Sequence, residues 1–278
     1  MVAPFKTIQQ AQKLSPLPLL EQHMLWAHVL GVERAWLIAH DRDPIADAAW
    51  QQYQSLQAQR VAGTPMAYLL GWREFMGHRF AVNPQVLIPR PETELLVTHL
   101  LEQVLPHYAQ PRVLELGTGS GAIAISLALA CPQAQIVATD ICPLALAVAQ
   151  QNARTLCGEN IEFLRGSWYD AVDKSEQFDV IVSNPPYIAA QDEHLQQGDL
   201  RAEPRKALTD GYDGMQALHI IITTAPQFLR TKGALWVEHG WNQSQPVREL
   251  ILREGFSEVH SINDLSGVPR ISGGTINF

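Results

Sequence analysis

Cysteine is scarce. The 278 residues hold three, Cys131, Cys142 and Cys157, an odd number without C-x-x-C spacing. That pattern suits neither a disulfide framework nor a cysteine-built zinc site, and a reduced, cytoplasmic compartment is expected. The ten histidines are scattered and no H-E-x-x-H occurs, so no metal site is expected. Long apolar runs are also missing. The most apolar stretch, AIAISLALA at 122–130, falls far short of the roughly 20 residues that span a bilayer. The N-terminal MVAPFKTIQQAQKLSPLPLL lacks the charged-then-apolar order of a secretory signal. Basic residues are outnumbered, 20 Lys and Arg against 28 Asp and Glu, for a net charge of −8. This disfavours a dedicated nucleic-acid or anionic-membrane binder. No internal repeat or low-complexity tract is present.

What is there is ordinary globular composition, 46% hydrophobic and 17% charged, in a length that suits two domains. Residues 1–72 read as a helical domain. SPLPLLEQHMLWAHVLG predicts a helix opening at Ser15-Pro16 and stopping at Gly31. RDPIADAAWQQYQSLQAQRVAG predicts a second, with Asp43 as N-cap, Pro44 in the first turn and Gly63 at the end. TPMAYLLG predicts a third, short one. Trp26, Trp36, Trp50 and Tyr53 are expected in the core of this bundle. Residues 73–91 follow as a hairpin around Gly77 and a proline-stiffened linker containing Pro84, Pro89 and Pro91.

In residues 92–278 the rhythm changes. Strand-like RVLEL, QIVATD, IEFLRGSW, FDVIV, GALWVEHG, FSEVHSI and GTINF alternate with helical AIAISLALA, LALAVAQQNARTL, GMQALHIIITTAPQFLR and QPVRELILREG. That alternation predicts a doubly wound, mostly parallel α/β sheet. Such sheets bind ligands beyond the C-terminal ends of their strands. Loop 117–121, Asp140, Trp168 and Asn184 all follow or end predicted strands and so share one rim.

LELGTGSGA joins the first of these strands to its helix. Gly117, Gly119 and Gly121 permit a tight turn and close backbone approach to a ligand. Gly117, Gly119 and Ala122 also satisfy the dinucleotide fingerprint, and Asp140 lies about 20 residues on, where an acid holds ribose hydroxyls. The loop therefore predicts an adenosine-type cofactor without choosing between NAD and S-adenosylmethionine. Asp140 is alternatively the N-cap of the helix starting near Pro143. Trp168 is alternatively a core residue or the cover of an adenine ring.

FDVIVSNPPYIAA, 178–190, presents an amide, two prolines and an aromatic ring where a buried strand stops. Strand termination accounts for the prolines alone. The sequence Asn184-Pro185-Pro186-Tyr187 after the fourth strand of a glycine-loop domain closely resembles methyltransferases that act on planar amino groups. An amide nitrogen is a poor nucleophile because its lone pair is delocalised. The Asn184 side-chain oxygen and the Pro185 carbonyl are two acceptors for its two N–H bonds. Pro185 biases Asn184 toward extended backbone, and Tyr187 offers a flat wall. Stiffness serves in-line transfer.

GTPMAYLLGWREFMGHRFAVNPQVLIPRPETELLV, VLELGTGSGAIAISLA, SNPPYI, LRAEPRKALTDGYDGM and VEHG together resemble the bacterial HemK family, also called PrmC. Its members are peptide chain release-factor N5-glutamine methyltransferases. The resemblance implies a seven-stranded methyltransferase sheet in 92–278; residues 1–72, which hold no catalytic constellation, are expected to recognise the substrate through a second contact. It implies S-adenosylmethionine held by Gly117, Thr118, Gly119, Ser120, Gly121, Asp140, Trp168 and Asn184, with S-adenosylhomocysteine as product. It implies that Asn184, Pro185, Pro186 and Tyr187 hold the glutamine of the Gly-Gly-Gln loop of class 1 release factors, with Asn184, Pro185 and Tyr187 as the catalytic set. Arg90 and Glu92 in IPRPETE stand between a role at the active-site rim and a domain-joining turn. EPRKAL with DGYDGM stands as a candidate loop over the site. A monomer without direct nucleic-acid or membrane contact is expected. The alternatives are a DNA or RNA amino-methyltransferase, an NAD-dependent oxidoreductase that would leave NPPY without a role, and a catalytically silent scaffold.

Overall fold

The structure is a computed structural model that describes residues 6–157 and 160–277. The chain divides into two units that meet between Trp72 and Arg73. In the first, helices α1 (Ile8–Leu14), α2 (Leu19–Leu30), α3 (Arg34–Ala39), α4 (Asp47–Val61) and α5 (Met66–Leu70) surround a small core. Trp26 and Tyr53 are fully buried there and stack at 4.0 Å between centroids. Arg60 of α4 grips Glu21 of α2 through Nε and Nη2, at 3.0 and 2.8 Å, a two-pronged bond suited to the guanidinium plane.

Three expectations change here. The helix expected from Ser15 starts at Leu19, because Pro18 pushes Leu17 out of helical backbone, and Ser15 instead caps the end of α1. The helix expected from Asp43 starts at Asp47, because the Asp43 carboxylate bonds His40 Nδ1 at 2.7 Å and closes the preceding turn. Trp36 is 39% exposed rather than core and stacks on His40 at the surface.

The second unit opens within a hairpin, β1 (Trp72–Phe75, its first residue the last of the first unit) and β2 (His78–Ala81), turned by Met76 and Gly77 with φ of 49° and 75°. Two left-handed residues match the twist of the flanking strands. Read above as part of a linker, residues 73–91 fold with this unit. Phe75 and Phe80 are fully buried in its core, and Asn152 holds both the N–H and the C=O of Ala81.

Then come α6 (Pro91–His99), β3 (Arg112–Leu116), α7 (Ala122–Ala130), β4 (Gln135–Asp140), α8 (Pro143–Leu156), β5 (Ile161–Arg165) and β6 (Phe178–Ser183). The chain continues through α9 (Arg205–Leu208), α10 (Gln216–Thr224), β7 (Leu229–Glu238), α11 (Ser244–Arg253), β8 (Phe256–Asn263) and β9 (Pro269–Ile276). Phe278, the end of the expected closing strand, lies outside the described residues. Seven strands form one sheet in the order β5-β4-β3-β6-β7-β9-β8. β3 to β7 run parallel, and β9 is antiparallel to β7 and β8.

Apolar clusters cover both faces, which is why β6 is buried at every position. α7 is apolar all round and has seven of its nine residues buried. The strand order reverses at β3, with β4 on one side and β6 on the other. That switch point opens a crevice at the strand ends. Leu116 pairs with Ser183, so loop 117–121 and Asn184 leave the sheet side by side. Among the described residues no helix is long and apolar enough to cross a membrane.

Candidate active site

A cleft of about 640 Å³ lies at this crevice. Gly117, Gly119, Asp140, Trp168, Asn184 and Pro186 line it, and the 85–87 and 204–210 segments form walls. A shallower depression of about 450 Å³ sits at the N-terminal ends of β3 and β4, the wrong end of the strands for these residues. Among the described residues no group of three or more His, Cys, Asp or Glu is placed to hold a metal ion.

The glycine loop is locked from beneath. The N–H groups of Gly117 and Thr118 both donate to the Thr139 carbonyl at 2.9 Å. Gly117 has φ +75°, and a Cβ there would touch the Trp168 ring at 3.4 Å, so the indole lies against bare backbone. Thr118, Ser120 and Gly121, expected on the cofactor, are buried and do not line the cleft. The Thr118 hydroxyl donates to Glu115 at 2.7 Å, and Gly121 lets α7 pack on Ala149 of α8. Glu115 was not singled out in the sequence, although a carboxyl inside the apolar strand RVLEL was a visible signal. It also accepts the Ala124 N–H, and burial pushes it up to about 8.

Asp140 is not the N-cap of α8, a position Cys142 holds, but it lines the cleft and braces the backbone on both sides of it. Its Oδ2 accepts the Gly119 N–H at 2.9 Å and its Oδ1 the Cys142 N–H at 2.8 Å. A carboxylate offers about four lone-pair sites, so acceptor capacity toward the cleft remains. Burial raises its pKa against the pull of these N–H bonds. Trp168 has φ +49°, rare for a non-glycine residue. The Thr139 hydroxyl holds its carbonyl in place at 3.0 Å. An acidic acceptor, an indole plane and side-chain-free glycines in one cleft fit an adenosine-type cofactor: hydroxyl donors, a flat ring and close backbone approach.

At the NPPY corner, Asn184 Nδ2 donates to Thr93 Oγ1 of α6 at 2.9 Å, leaving Oδ1 as the free acceptor. Pro185 is buried and its ring fixes the turn. Tyr187 does not line the cleft. Its hydroxyl donates to Glu238 Oε1 at 3.1 Å, at the end of β7. Burial, then the Glu238 charge, raise the phenol far above its usual range, so Tyr187 stays a neutral donor. The Tyr187 carbonyl accepts from Gln243 Nε2 at 3.0 Å.

Around the mouth, the buried Glu203 joins two walls. It accepts the Ile88 N–H at 3.0 Å and pairs with Arg90. Arg90 thus clamps the EPRKAL segment to the IPRPETE segment, within one unit. Thr93, Glu203 and Glu238 were legible only as members of motifs, and Gln243 lies outside every stretch singled out in the sequence. Their partners are 51 to 115 residues away.

The methyltransferase small domain family matches residues 91–211, and the PrmC N-terminal domain family matches residues 6–71. The release factor glutamine methyltransferase of Bordetella pertussis is 58% identical over 261 residues, 93% of this chain and 95% of that one. That of Escherichia coli is 41% identical over 268 residues, covering 96% and 95%. Among solved structures, a methyltransferase from Pyrococcus furiosus has a TM-score of 0.55 at 18% identity and covers 81% of this chain and 100% of that one. A T. thermophilus 16S rRNA methyltransferase in complex with AdoMet and guanosine also reaches 0.55 at 18% identity, covering 74% and 50%. These two speak to the fold alone. The near full-length identity to curated relatives, on a sheet whose switch point carries the glycine loop beside NPPY, means that this chain belongs to the release factor glutamine methyltransferase family.

Proposed function

We propose that this enzyme transfers the methyl group of S-adenosylmethionine to the side-chain amide nitrogen (N5) of the glutamine in the Gly-Gly-Gln loop of class 1 release factors. S-adenosylhomocysteine is the other product. The observation that carries the reading is the Asn184 amide, pinned by Thr93 through its nitrogen and set beside the glycine loop with its oxygen free.

When bound, S-adenosylmethionine supplies an electrophilic methyl group on a sulfonium. Asp140 accepts its ribose hydroxyls, Trp168 covers its adenine and Gly117 and Gly119 let it approach the backbone. Asn184 Oδ1 and the Pro185 carbonyl accept the two N–H bonds of the glutamine amide and aim its lone pair away from them. Pro186 walls the planar group, and Tyr187, outside the cleft, anchors the turn through Glu238 and Gln243. Preorganised acceptors at a reacting centre contribute on the order of 3 kcal/mol each. The methylated nitrogen loses its proton readily, so no strong base is required.

The helical unit, residues 1–72, grips the release factor away from its glutamine loop and raises the effective concentration of the glutamine at Asn184. The net charge of −8 supports a protein substrate over a nucleic acid. The enzyme acts as a cytoplasmic monomer. Incubation with labelled S-adenosylmethionine and purified release factors, followed by mapping of the modified residue, tests the reading. Label on any residue but the Gly-Gly-Gln glutamine refutes it.

A further inference from the structure

We propose that Glu203 is a positioning residue for S-adenosylmethionine: it ties together two walls of the cleft and so sets the gap that holds the cofactor, without touching it. The inference rests on the function proposed above only for what the cleft holds. Val86 and Leu87 stand in one wall, Pro204 and Ala207 in another, and Glu203 itself does not line the cleft. Its side chain has no exposed surface, yet both carboxylate oxygens are used. Oε2 accepts the Ile88 N–H at 3.0 Å, and Oε1 accepts from Arg90 Nη2.

Desolvating a carboxylate is costly, and apolar side chains of the same volume would pack two walls together at least as well. What the charge adds is direction, because its bonds demand one donor at Ile88 and one at Arg90. Both partners also sit in stiff chain. Arg90 lies between Pro89 and Pro91, and Glu203 precedes Pro204. Each proline ring fixes its own φ and restricts the residue before it. A bond between two stiff segments leaves little slack. Leu87 is one residue from Ile88 and Pro204 one residue from Glu203, so the bond fixes the walls themselves.

The second wall is fastened differently at its far end. The Ile188 N–H donates to the Leu208 carbonyl at 3.0 Å, and the Ala190 N–H donates to the Tyr212 carbonyl at 2.8 Å. Arg205 Nη2 donates to the Ala190 carbonyl at 3.3 Å. These bonds join 205–212 to the chain leaving NPPY. Released at Glu203, residues 203–207 pivot on them and the cleft widens. Asn184 keeps its own bond to Thr93, so the acceptor corner stays where it is. The loss therefore falls on cofactor binding and spares the transfer step.

The test is calorimetric titration of the full-length enzyme with S-adenosylmethionine, alongside kcat on a release factor at saturating cofactor and urea unfolding. Glu203→Gln keeps an acceptor for the Ile88 N–H but turns amide hydrogens toward the guanidinium. It weakens cofactor affinity about tenfold and leaves kcat within about threefold of the wild type. Arg90→Met strands the buried carboxylate and weakens affinity further. Adding Glu203→Gln to Arg90→Met restores affinity to the level of Glu203→Gln alone. A bond of general structural use would lower unfolding stability and leave the affinity of the folded enzyme unchanged. Wild-type affinity in folded Glu203→Gln overturns the inference, and so does a fall in kcat as large as the fall in affinity. Should Glu203→Gln fail to fold, Arg90→Met decides, and wild-type affinity there overturns it. Titration needs no substrate, so a wild type that leaves the release factor unmethylated refutes the proposed function alone.

Discussion

Gly214→Ala should damage catalysis without altering any group that touches a ligand. Gly214 has φ +83°, and a Cβ there would lie 2.2 Å from the Tyr187 carbonyl oxygen and 2.9 Å from its carbon. An ordinary contact begins at about 3.4 Å, so one backbone must yield by about 1.2 Å. No flexible side-chain end can absorb this. The third neighbour, Gln243 Nε2 at 3.0 Å, is itself bonded to both the Tyr187 and Gly214 carbonyls. Left-handed backbone costs an alanine about 1–2 kcal/mol, and overpacking adds about 1–3. A stability loss of about 2–5 kcal/mol follows.

The displacement passes through the stiff Pro185-Pro186 step to Asn184, and a shift of about 1 Å at a reacting centre costs roughly 10²-fold in rate. Gly211→Ala is the control. Gly211 has φ +87° in the same turn, yet nothing lies within 4 Å of its added Cβ. It should lose only the about 1–2 kcal/mol of backbone strain. Urea unfolding gives the two stabilities, and kcat with calorimetric cofactor affinity gives the two activities. A Gly214→Ala enzyme that turns over as fast as Gly211→Ala would refute the reasoning.

Asn184→Ala should stay folded and lose turnover by on the order of 3 kcal/mol in the barrier; near-normal turnover of a folded variant defeats the proposed chemistry. Asp140→Ala should weaken S-adenosylmethionine binding by roughly 1.5–3 kcal/mol. It should also lower Tm, since the Gly119 and Cys142 N–H groups lose their acceptor, and unchanged affinity removes Asp140 from the site. Glu115 stays protonated in the folded state up to about 8 but ionises near 4.5 when unfolded. Its contribution to stability therefore falls by about 1.4 kcal/mol per pH unit between those values and is level outside them. Glu115→Gln should gain on the wild type at up to that slope from pH 5.5 to 7.5, and parallel unfolding curves would contradict the burial argument. Deleting residues 1–72 should depress methylation of an intact release factor far more than of a glutamine peptide. A proportional loss on both substrates points to a stabilising role instead.

The parallel sheet was legible because each central strand is an apolar run bounded by glycine, proline or an acid, and helices α8, α10 and α11 show a helical period. The helical unit was read less well. α1 and α3 have seven and six residues, too few for periodicity to declare them. α1 did carry a signal, the capping box formed by Thr7 and Gln10 in TIQQ. Asp43 carried cap chemistry and spent it on His40, which no spacing rule could foresee. β7 begins at Leu229 rather than at Gly233, passing through a left-handed Lys232 that breaks the strand pattern.

The site divides in the same way. Gly117, Asp140 and Asn184, which line the cleft, were legible through loops and strand ends, because backbone form there is set locally. What holds them was not, because a buried polar pair leaves no periodic trace when its members are distant in the chain. Asn184 depends on Thr93 from the PETE segment, and Tyr187 on Glu238 and Gln243 from either side of VEHG's glycine. Gly214 of DGYDG presses on the Tyr187 carbonyl, and Glu203 of EPRKAL ties down Ile88 and Arg90. The segments that looked like turns and rims each reach NPPY or the wall beside it. Two prolines stiffen a chain locally, but they fix no position relative to a cofactor on another strand. That position is over-determined by three remote elements, the condition under which a weak nucleophile can be held in line. It follows that the sensitivity of turnover should map onto these buried bonds rather than onto distance from the cleft.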